Sequence, residues 1–307
     1  MKGLVLRSVG SSYDILGEDT TRYKGRLKGK FKIEDKKLTN PIAVGDTVVF
    51  TLENEVTHDV MIEQISPRTN YIIRKSVHKS EHSHLIACNI DEAFLVVTLA
   101  APETSTGFID RFLAAAESFR IPVSIVFNKS DLYDTKLLKY KQELSDLYES
   151  IGYKTLLVSA EKEQGIEALK SAASGKKVLF SGHSGVGKST LMNRIFPGLN
   201  QKTLEISGFS QKGVHSTTFA EMFDMGNNTF LIDTPGIKEF GLMEIEPEEI
   251  KHYFPEMREL IGACKFHNCL HINEPSCAVR QAVENNMIAA SRYKNYLSML
   301  ENEDNRR

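Results

Sequence analysis

Gly182-His-Ser-Gly-Val-Gly-Lys-Ser189 lies between an apolar run, Val178-Leu-Phe180, and a helix-compatible stretch, Thr190-Leu-Met-Asn-Arg194. Glycines at this spacing let backbone N–H groups converge on phosphate oxygens, and the helix that follows adds its positive end. The predicted phosphate cradle is Gly182, His183, Ser184, Gly185, Val186, Gly187, Lys188, Ser189 and Thr190. Lys188 is the expected partner of the β- and γ-phosphates, and Ser189 that of Mg²⁺. A glycine-rich turn with a chance Lys-Ser pair is the bland alternative, and it leaves the strand and helix on either side unexplained.

Outward from this loop, the chain alternates strands with helices. Ala93–Thr98 and Val123–Phe127 are continuous apolar runs, as in strands buried on both faces. Helical spacing marks Phe108–Phe119, Thr135–Ser150 and Gly165–Ala173, with further strands at Lys154–Val158, Lys177–Ser181 and Thr229–Ile232. The pattern predicts a doubly wound α/β sheet.

Asn128-Lys-Ser-Asp131 follows the strand Val123–Phe127. A carboxylate at Asp131 accepts hydrogen bonds from guanine N1–H and the exocyclic amine, a donor pair that adenine lacks. Asn128 is expected to tie loops together, the Lys129 stem to cover a base face, and Ser130 to line the pocket. The alternative is that Asp131 caps a helix. At the end of the next strand, Ser159-Ala160 is positioned for a backbone N–H to reach the guanine carbonyl oxygen.

Downstream, Asp233-Thr-Pro-Gly236 follows Phe230-Leu-Ile232. Asp233 is expected to hold Mg²⁺ through water, and the Gly236 N–H to sense the γ-phosphate. Between it and the phosphate loop lies Lys212-Gly-Val-His-Ser-Thr-Thr218, in a segment without clear periodicity that suits a switch. Thr217 or Thr218 supplies the metal-contacting hydroxyl, with Thr217 preferred. Many GTPases carry a water-orienting Gln after this Asp-x-x-Gly; here the residue is Ile237, whose side chain cannot orient water. His215 is the expected substitute, as catalytic residue, with His183 second and a surface histidine without a role as the alternative. The base-reading motif precedes the phosphate loop, the reverse of the usual order, so the domain reads as circularly permuted. Chain termini often lie close together, which makes such permutation tolerable.

The flanks have different characters. Residues 1–66 read as short strands, Gly3–Arg7, Tyr13–Leu16, Arg22–Lys28, Thr47–Leu52 and Val60–Ile65, separated by turn residues. Such strands without helices suggest a small barrel of the oligonucleotide-binding type. Lysines and arginines crowd Arg22–Lys37, either as a phosphate-tracking stripe or as a solvated, lysine-protected strand edge. Residues 66–79 read as a basic linker. After about Leu242 the strands cease. Helical patterns at Glu246–Ile261, Ala278–Met287 and Ala289–Glu301 surround Cys264-x4-Cys269-x-His271-x5-Cys277. Three thiolates and an imidazole make a closed tetrahedral zinc site, structural because four protein ligands leave no open position. His267 competes with His271 as the fourth ligand, and fortuitous clustering is the alternative.

Composition is ordinary for a soluble chain. Of its 307 residues 41% are hydrophobic and 25% charged, and the net charge of −2 excludes a global positive field, so any nucleic-acid surface is a local patch. Met1–Arg7 is too short and too soon interrupted for a signal peptide, and no apolar run approaches the ~20 residues of a membrane span. The expectation is a soluble, cytoplasmic monomer without membrane contact. Cys88 stands alone in an apolar run and reads as a core residue.

Permuted GTPase motifs, a preceding basic barrel and a trailing Cys-Cys-His-Cys domain together resemble the ribosome small-subunit-dependent GTPase family (RsgA, also called YjeQ), over essentially the whole chain. The resemblance implies three domains: an oligonucleotide-binding barrel that binds RNA (1–66), a circularly permuted GTPase (67–243) and a helical zinc-binding domain (244–307). It implies binding of GTP and GDP with Mg²⁺ and one structural Zn²⁺. It also implies contact with the small ribosomal subunit and its rRNA in late maturation, and GTP hydrolysis stimulated by that subunit. The switch is similar to the family's Gly-x-His-Thr-Thr, with Ser216 in place of the first Thr, and the proposed catalytic His matches His215. The rivals are a signalling or transport GTPase acting on a protein partner, and a P-loop ATPase or scaffold without guanine preference.

Overall fold

The computed structural model describes residues 1–28, 40–75, 83–197, 199, 220–233 and 245–301. The chain divides into two compact units: Met1–Ala93 with Lys170–Phe180 and Ile195–Ile237, and Phe94–Leu169 with Ser181–Arg194 and Lys238–Arg307.

In the first unit, β1 (Lys2–Val9), β2 (Ser12–Gly17), β3 (Arg22–Leu27), β4 (Thr47–Asn54) and β5 (Asp59–Ile65) close a barrel. β1 pairs with both β2 and β4, β2 with β3, β3 in parallel with β5, and β5 with β4. Alternation along each strand sends Val5, Tyr13, Ile15, Tyr23, Val48, Phe50, Val60 and Ile62 inward to one core. Because β3 is paired on both sides, the basic residues Arg22, Lys24 and Arg26 do not protect a strand edge. They line the outer face of a closed sheet, where Arg26 pairs with Glu53 at 3.6 Å and Lys28 with Glu63 at 3.6 Å. The rest of the basic stretch, 29–37, lies outside the described residues.

The linker expected at 66–79 is in part a strand. β6 (Tyr71–Lys75) pairs antiparallel with β7 (Ser83–Cys88), a hairpin whose apolar residues, Ile72 and Leu85 among them, the linker reading overlooked. Arg68 fastens this region to the barrel. Its guanidinium meets Asp46 through two 2.7 Å hydrogen bonds, and the Cys88 thiol donates to the same carboxylate at 3.1 Å. Cys88 is buried, and its thiol is pushed well above the ordinary range by that burial and by Asp46. Further strands of this unit are β11 (Lys177–Ser181), β12 (Glu221–Asp224) and β13 (Phe230–Asp233). β11 runs parallel to β13, β13 antiparallel to β12, and β12 meets β1 antiparallel through Arg7 and Glu221. Residues 221–224 lie in the segment the sequence left without periodicity.

The second unit carries β8 (Glu92–Val97, from Phe94 onward), β9 (Val123–Phe127) and β10 (Lys154–Leu157), with β9 central and parallel to β10. Its helices are α1 (Thr106–Ser118), α2 (Thr135–Ser150), the first half of α3 (Ile166–Ala173) and α4 (Lys188–Ile195) as far as Arg194. α1 starts at Ser105, whose hydroxyl accepts the Phe108 N–H at 3.2 Å, and buries Ile109, Phe112, Leu113 and Ala116. The helix expected over 246–261 is instead broken into α5 (Pro247–Ile250), a 3₁₀ turn at Lys251–Tyr253 and α6 (Pro255–Arg258). Proline begins both α-helical pieces, and Pro255 cannot donate the hydrogen bond that would continue α5. α7 (Ala278–Glu284) and α8 (Ala290–Leu300) complete the C-terminal region. Among the described residues no helix is long and apolar enough to cross a membrane.

Candidate functional site

The loop 182–187 joins β11 to α4, and its glycines are demanded by the backbone. Gly182 has φ +143°, and a Cβ there would lie 2.2 Å from the Val96 carbonyl oxygen. Gly187 has φ +94°, and a Cβ would lie 2.4 Å from Asn128 Nδ2. Ser184, Gly185, Ser189 and Thr190 are exposed, while Val186 is buried beneath them. Lys188 at the start of α4 folds its ammonium over the loop, donating to the carbonyls of Gly182 and His183, each at 2.6 Å. A cation held there against a helix N-terminus creates a strongly anion-attracting surface. The His183 ring packs on Phe108 with centroids 3.6 Å apart. Burial first, and Lys188 second, lower its pKa, so the imidazole is neutral at physiological pH.

Asn128 joins this loop to the segments that carry Asp131 and Ala160. The side chain is buried; Nδ2 donates to the Val186 carbonyl at 2.8 Å, and Oδ1 accepts the Ala160 N–H at 3.2 Å. Three segments distant in sequence therefore meet on one carboxamide. An aspartate here would set a carboxylate against the Val186 carbonyl. Lys129 takes a left-handed φ of +61° and reaches the Ala101 carbonyl at 2.6 Å with an exposed stem. Ser130 and Asp131 lie in a 3₁₀ turn, Ser130–Leu132. The cap of the following helix is Asp134, whose carboxylate accepts from Leu137 N at 2.8 Å, and not Asp131. Asp131 accepts instead the hydroxyl of Ser159, which orients the carboxylate beside Ala160. The array presents a fixed acceptor, a lysine stem and a short loop, the complement of a purine edge rich in donors.

Asp233 ends β13, opposite Glu221 of β12, and is exposed. The Glu221 carboxyl is pushed up by burial and then by Asp14 and Asp233, against the pull of Arg7. His215, Thr217, Gly236 and Ile237 lie outside the described residues.

At the other end, Cys264, Cys269, His271 and Cys277 offer three sulfurs and Nδ1 that all lie within 4.8 Å of one another. Nδ1 is 3.3 Å from the Cys277 sulfur and 3.6 Å from that of Cys264. A tetrahedral zinc ion with bonds of about 2.0–2.3 Å requires ligand atoms at about this spacing. His271 Nε2 is buried and has no hydrogen-bond partner among the described residues, so the ring's polar capacity is directed through Nδ1. Burial, then Lys251, lowers the His271 pKa toward the neutral, metal-binding form. Burial also pushes the Cys269 thiol up to about 12, and a divalent cation is the agent that ionises such thiols. The donor set fits zinc. His267 is exposed and outside the cluster.

Residues with no motif of their own hold this loop. Glu274 accepts the N–H groups of Leu270, Ile272 and Asn273 at 2.6, 2.8 and 3.0 Å. Burial raises its pKa, but these donors outweigh burial and leave it below the usual range. The Lys251 ammonium, buried, donates to the Cys269 carbonyl at 2.9 Å. His271 adopts φ +60° while the Tyr293 hydroxyl holds its carbonyl at 2.5 Å. Sequence reasoning passed over all three holders, because nothing in their local spacing distinguishes them from surface residues.

The RsgA GTPase family model matches residues 65–243, and the model of the RsgA N-terminal domain matches residues 2–57. The small ribosomal subunit biogenesis GTPase RsgA of Cytophaga hutchinsonii is 54% identical over 307 residues, covering 100% of both chains. RsgA 2 of Bacteroides thetaiotaomicron is 50% identical over 304 residues, covering 99% of this chain and 97% of its own. Among solved structures, YjeQ from Thermotoga maritima superposes with a TM-score of 0.80 at 36% identity, over 100% of this chain and 99% of that one. YloQ, described as a circularly permuted GTPase, gives 0.77 at 30% identity, over 100% and 96%.

Proposed function

This chain belongs to the RsgA GTPase family, and on that premise we propose that it hydrolyses GTP to GDP and phosphate on the small ribosomal subunit, during that subunit's late maturation and under its stimulation. The observation that carries the reading is the Asn128 carboxamide, bonded at once to the phosphate loop and to the loop beside Asp131. Such a bridge makes base recognition and phosphate binding one rigid unit, and so favours guanine nucleotides.

In this reading Gly182–Ser189 and Thr190 bind the phosphates, with Lys188 neutralising their charge. Asn128, Lys129, Ser130, Asp131, Ser159 and Ala160 read guanine. Ser189, Thr217 and Asp233 hold Mg²⁺, which when bound neutralises charge developing on the phosphates. Gly236 senses the γ-phosphate, and His215 orients the attacking water that Ile237 cannot. Cys264, Cys269, His271 and Cys277 hold one structural zinc ion. Arg22, Lys24 and Arg26 on the barrel's outer face are suited to rRNA phosphates, with salt-dependent binding. The domains are taken as 1–66, 67–243 and 244–307.

The test is GTP turnover by the full chain with and without purified small subunits. Stimulation by subunits, and not by salt-matched buffer, is expected; turnover indifferent to subunits would reject the ribosomal reading. Asp131→Asn should move preference from guanosine toward xanthosine nucleotides, because the amide no longer accepts both guanine donors. An unchanged preference would reject the guanine pocket. His215→Ala should lower turnover with GTP affinity spared, and a loss of affinity alone would reject its catalytic role.

A further inference from the structure

α8 touches two features of the second unit that are remote in sequence. On one side its tyrosines hold the metal-ligand loop: Tyr293 donates to the His271 carbonyl at 2.5 Å, and Tyr296 to the Leu270 carbonyl at 2.8 Å. On the other side it grips α1. Arg292 Nη1 donates to Asp110 Oδ1 at 2.7 Å, and Asn295 Nδ2 donates to Asp110 Oδ2 at 2.6 Å and to Thr106 at 3.4 Å.

This grip is buried and saturated. The side chains of Arg292 and Asp110 are 2% and 1% exposed. Glu256 takes the other edge of the guanidinium at 2.7 and 3.1 Å, and the Tyr148 hydroxyl donates to Asp110 at 2.8 Å. The guanidinium also lies over the Phe254 ring, 4.4 Å from its centroid. Separating such a pair would strand a charge in a water-free site, so α1 and α8 move together or not at all.

One half-turn before Asp110, Phe108 is the α1 residue that packs on His183 of the phosphate loop. Pro102, just upstream of α1, lies 3.4 Å from where a Cβ on Gly185 would stand. The phosphate chemistry assigned above makes no use of the His183 ring, which leaves its contact with Phe108 as a mechanical one. An unbroken series of contacts thus runs from the cysteine loop through α8 and α1 to the loop that cradles phosphate.

We propose that α1 couples the Cys/His domain to the phosphate loop, with Arg292, Asp110 and Phe108 as positioning residues. A partner that shifts α8 then shifts Phe108, and with it His183 and the phosphate-binding N–H groups. This rests on Gly182–Ser189 being the phosphate site. Coupling is reciprocal, so nucleotide binding must be felt at α8.

Segment-resolved hydrogen exchange of the zinc-loaded full chain, with and without GDP, tests the proposal. GDP should slow exchange in the phosphate loop, in α1, and also in α8 and residues 269–273. Arg292 substitutions risk unfolding the domain, so the decisive variant is Phe108→Leu, at a half-buried position. It should keep phosphate-loop protection and zinc content but lose at least about tenfold of the GDP-induced slowing at α8. Phe108→Tyr, which retains a ring, should restore it. Wild-type α8 indifferent to GDP while the phosphate loop is protected would overturn the coupling, as would unaltered α8 slowing in Phe108→Leu. Absence of GDP protection at the phosphate loop itself would overturn the underlying site assignment and the proposal with it.

Discussion

At the N-terminal end, closed strands surround side chains running from Val5 to Ile62, so cohesion is spread over a whole hydrogen-bonded ring. The C-terminal end has an apolar cluster too, including Phe254, Met257, Val279 and Tyr296. Yet its helices α5 to α7 are short, and residues 259–277 contain neither helix nor strand. There the backbone is held at points, by the Cys/His set, Glu274, Lys251 and two tyrosines. A distributed core tolerates the loss of one contact. A pointwise scaffold depends on each of them.

Four measurements would break or sharpen this contrast. Chelation, or Cys269→Ser, should release one zinc per chain and abolish exchange protection over 264–277, an effect on the order of 10 kcal/mol. Barrel amides should keep their protection; equal loss at both ends would remove the distinction. Phe50→Ala, in a fully buried barrel position beside Tyr23, should cost about 3–5 kcal/mol in denaturant titrations and leave zinc content unaltered. Arg68→Ala strands the buried Asp46 carboxylate and should cost about 3 kcal/mol, with Asp46→Asn in the same chain recovering part of it. No recovery would mean that the cost lies in lost packing of the guanidinium.

The smallest effect concerns acid. The Glu274 carboxyl lies below its ordinary range when folded, so its stabilisation is fully present above the unfolded value of about 4.3. It is lost as pH falls through the folded value. Glu274→Gln should cost about 1 kcal/mol at neutral pH and flatten the acid arm of the domain's stability curve. An unchanged acid arm would show that the three backbone N–H groups find other partners.

Legibility in the sequence followed local against remote causes. Val123–Phe127, Lys177–Ser181 and Thr135–Ser150 were readable to their ends, because apolar runs and helical spacing are local signals. The barrel strands were readable from short strand-like runs and the turn residues between them. Tyr71–Lys75 was not, because its apolar start, Tyr71-Ile-Ile73, is only three residues long between polar and basic neighbours, and its strand is completed by pairing with Ser83–Cys88. The helix predicted over 246–261 ignored Pro255, a breaker in plain view. At the nucleotide site the motifs declared the residue types, and the bridging contacts of Asn128 followed from the fold. Arg292 was illegible, because its acidic partner Asp110 is 182 positions away and only folding makes that arginine interior.

The junction between β1 and β12, at Arg7 and Glu221, has a practical consequence for fragments. β12 carries Met222 and Phe223, both buried, and on its side away from β13 its neighbour is barrel strand β1. A fragment that begins at residue 65, where the GTPase-family match begins, would bare that flank. Its unpaired N–H and C=O groups would then template pairing with other molecules. β1 thus shields part of the β12 edge, and a chain shortened to residue 65 is expected to self-associate along it.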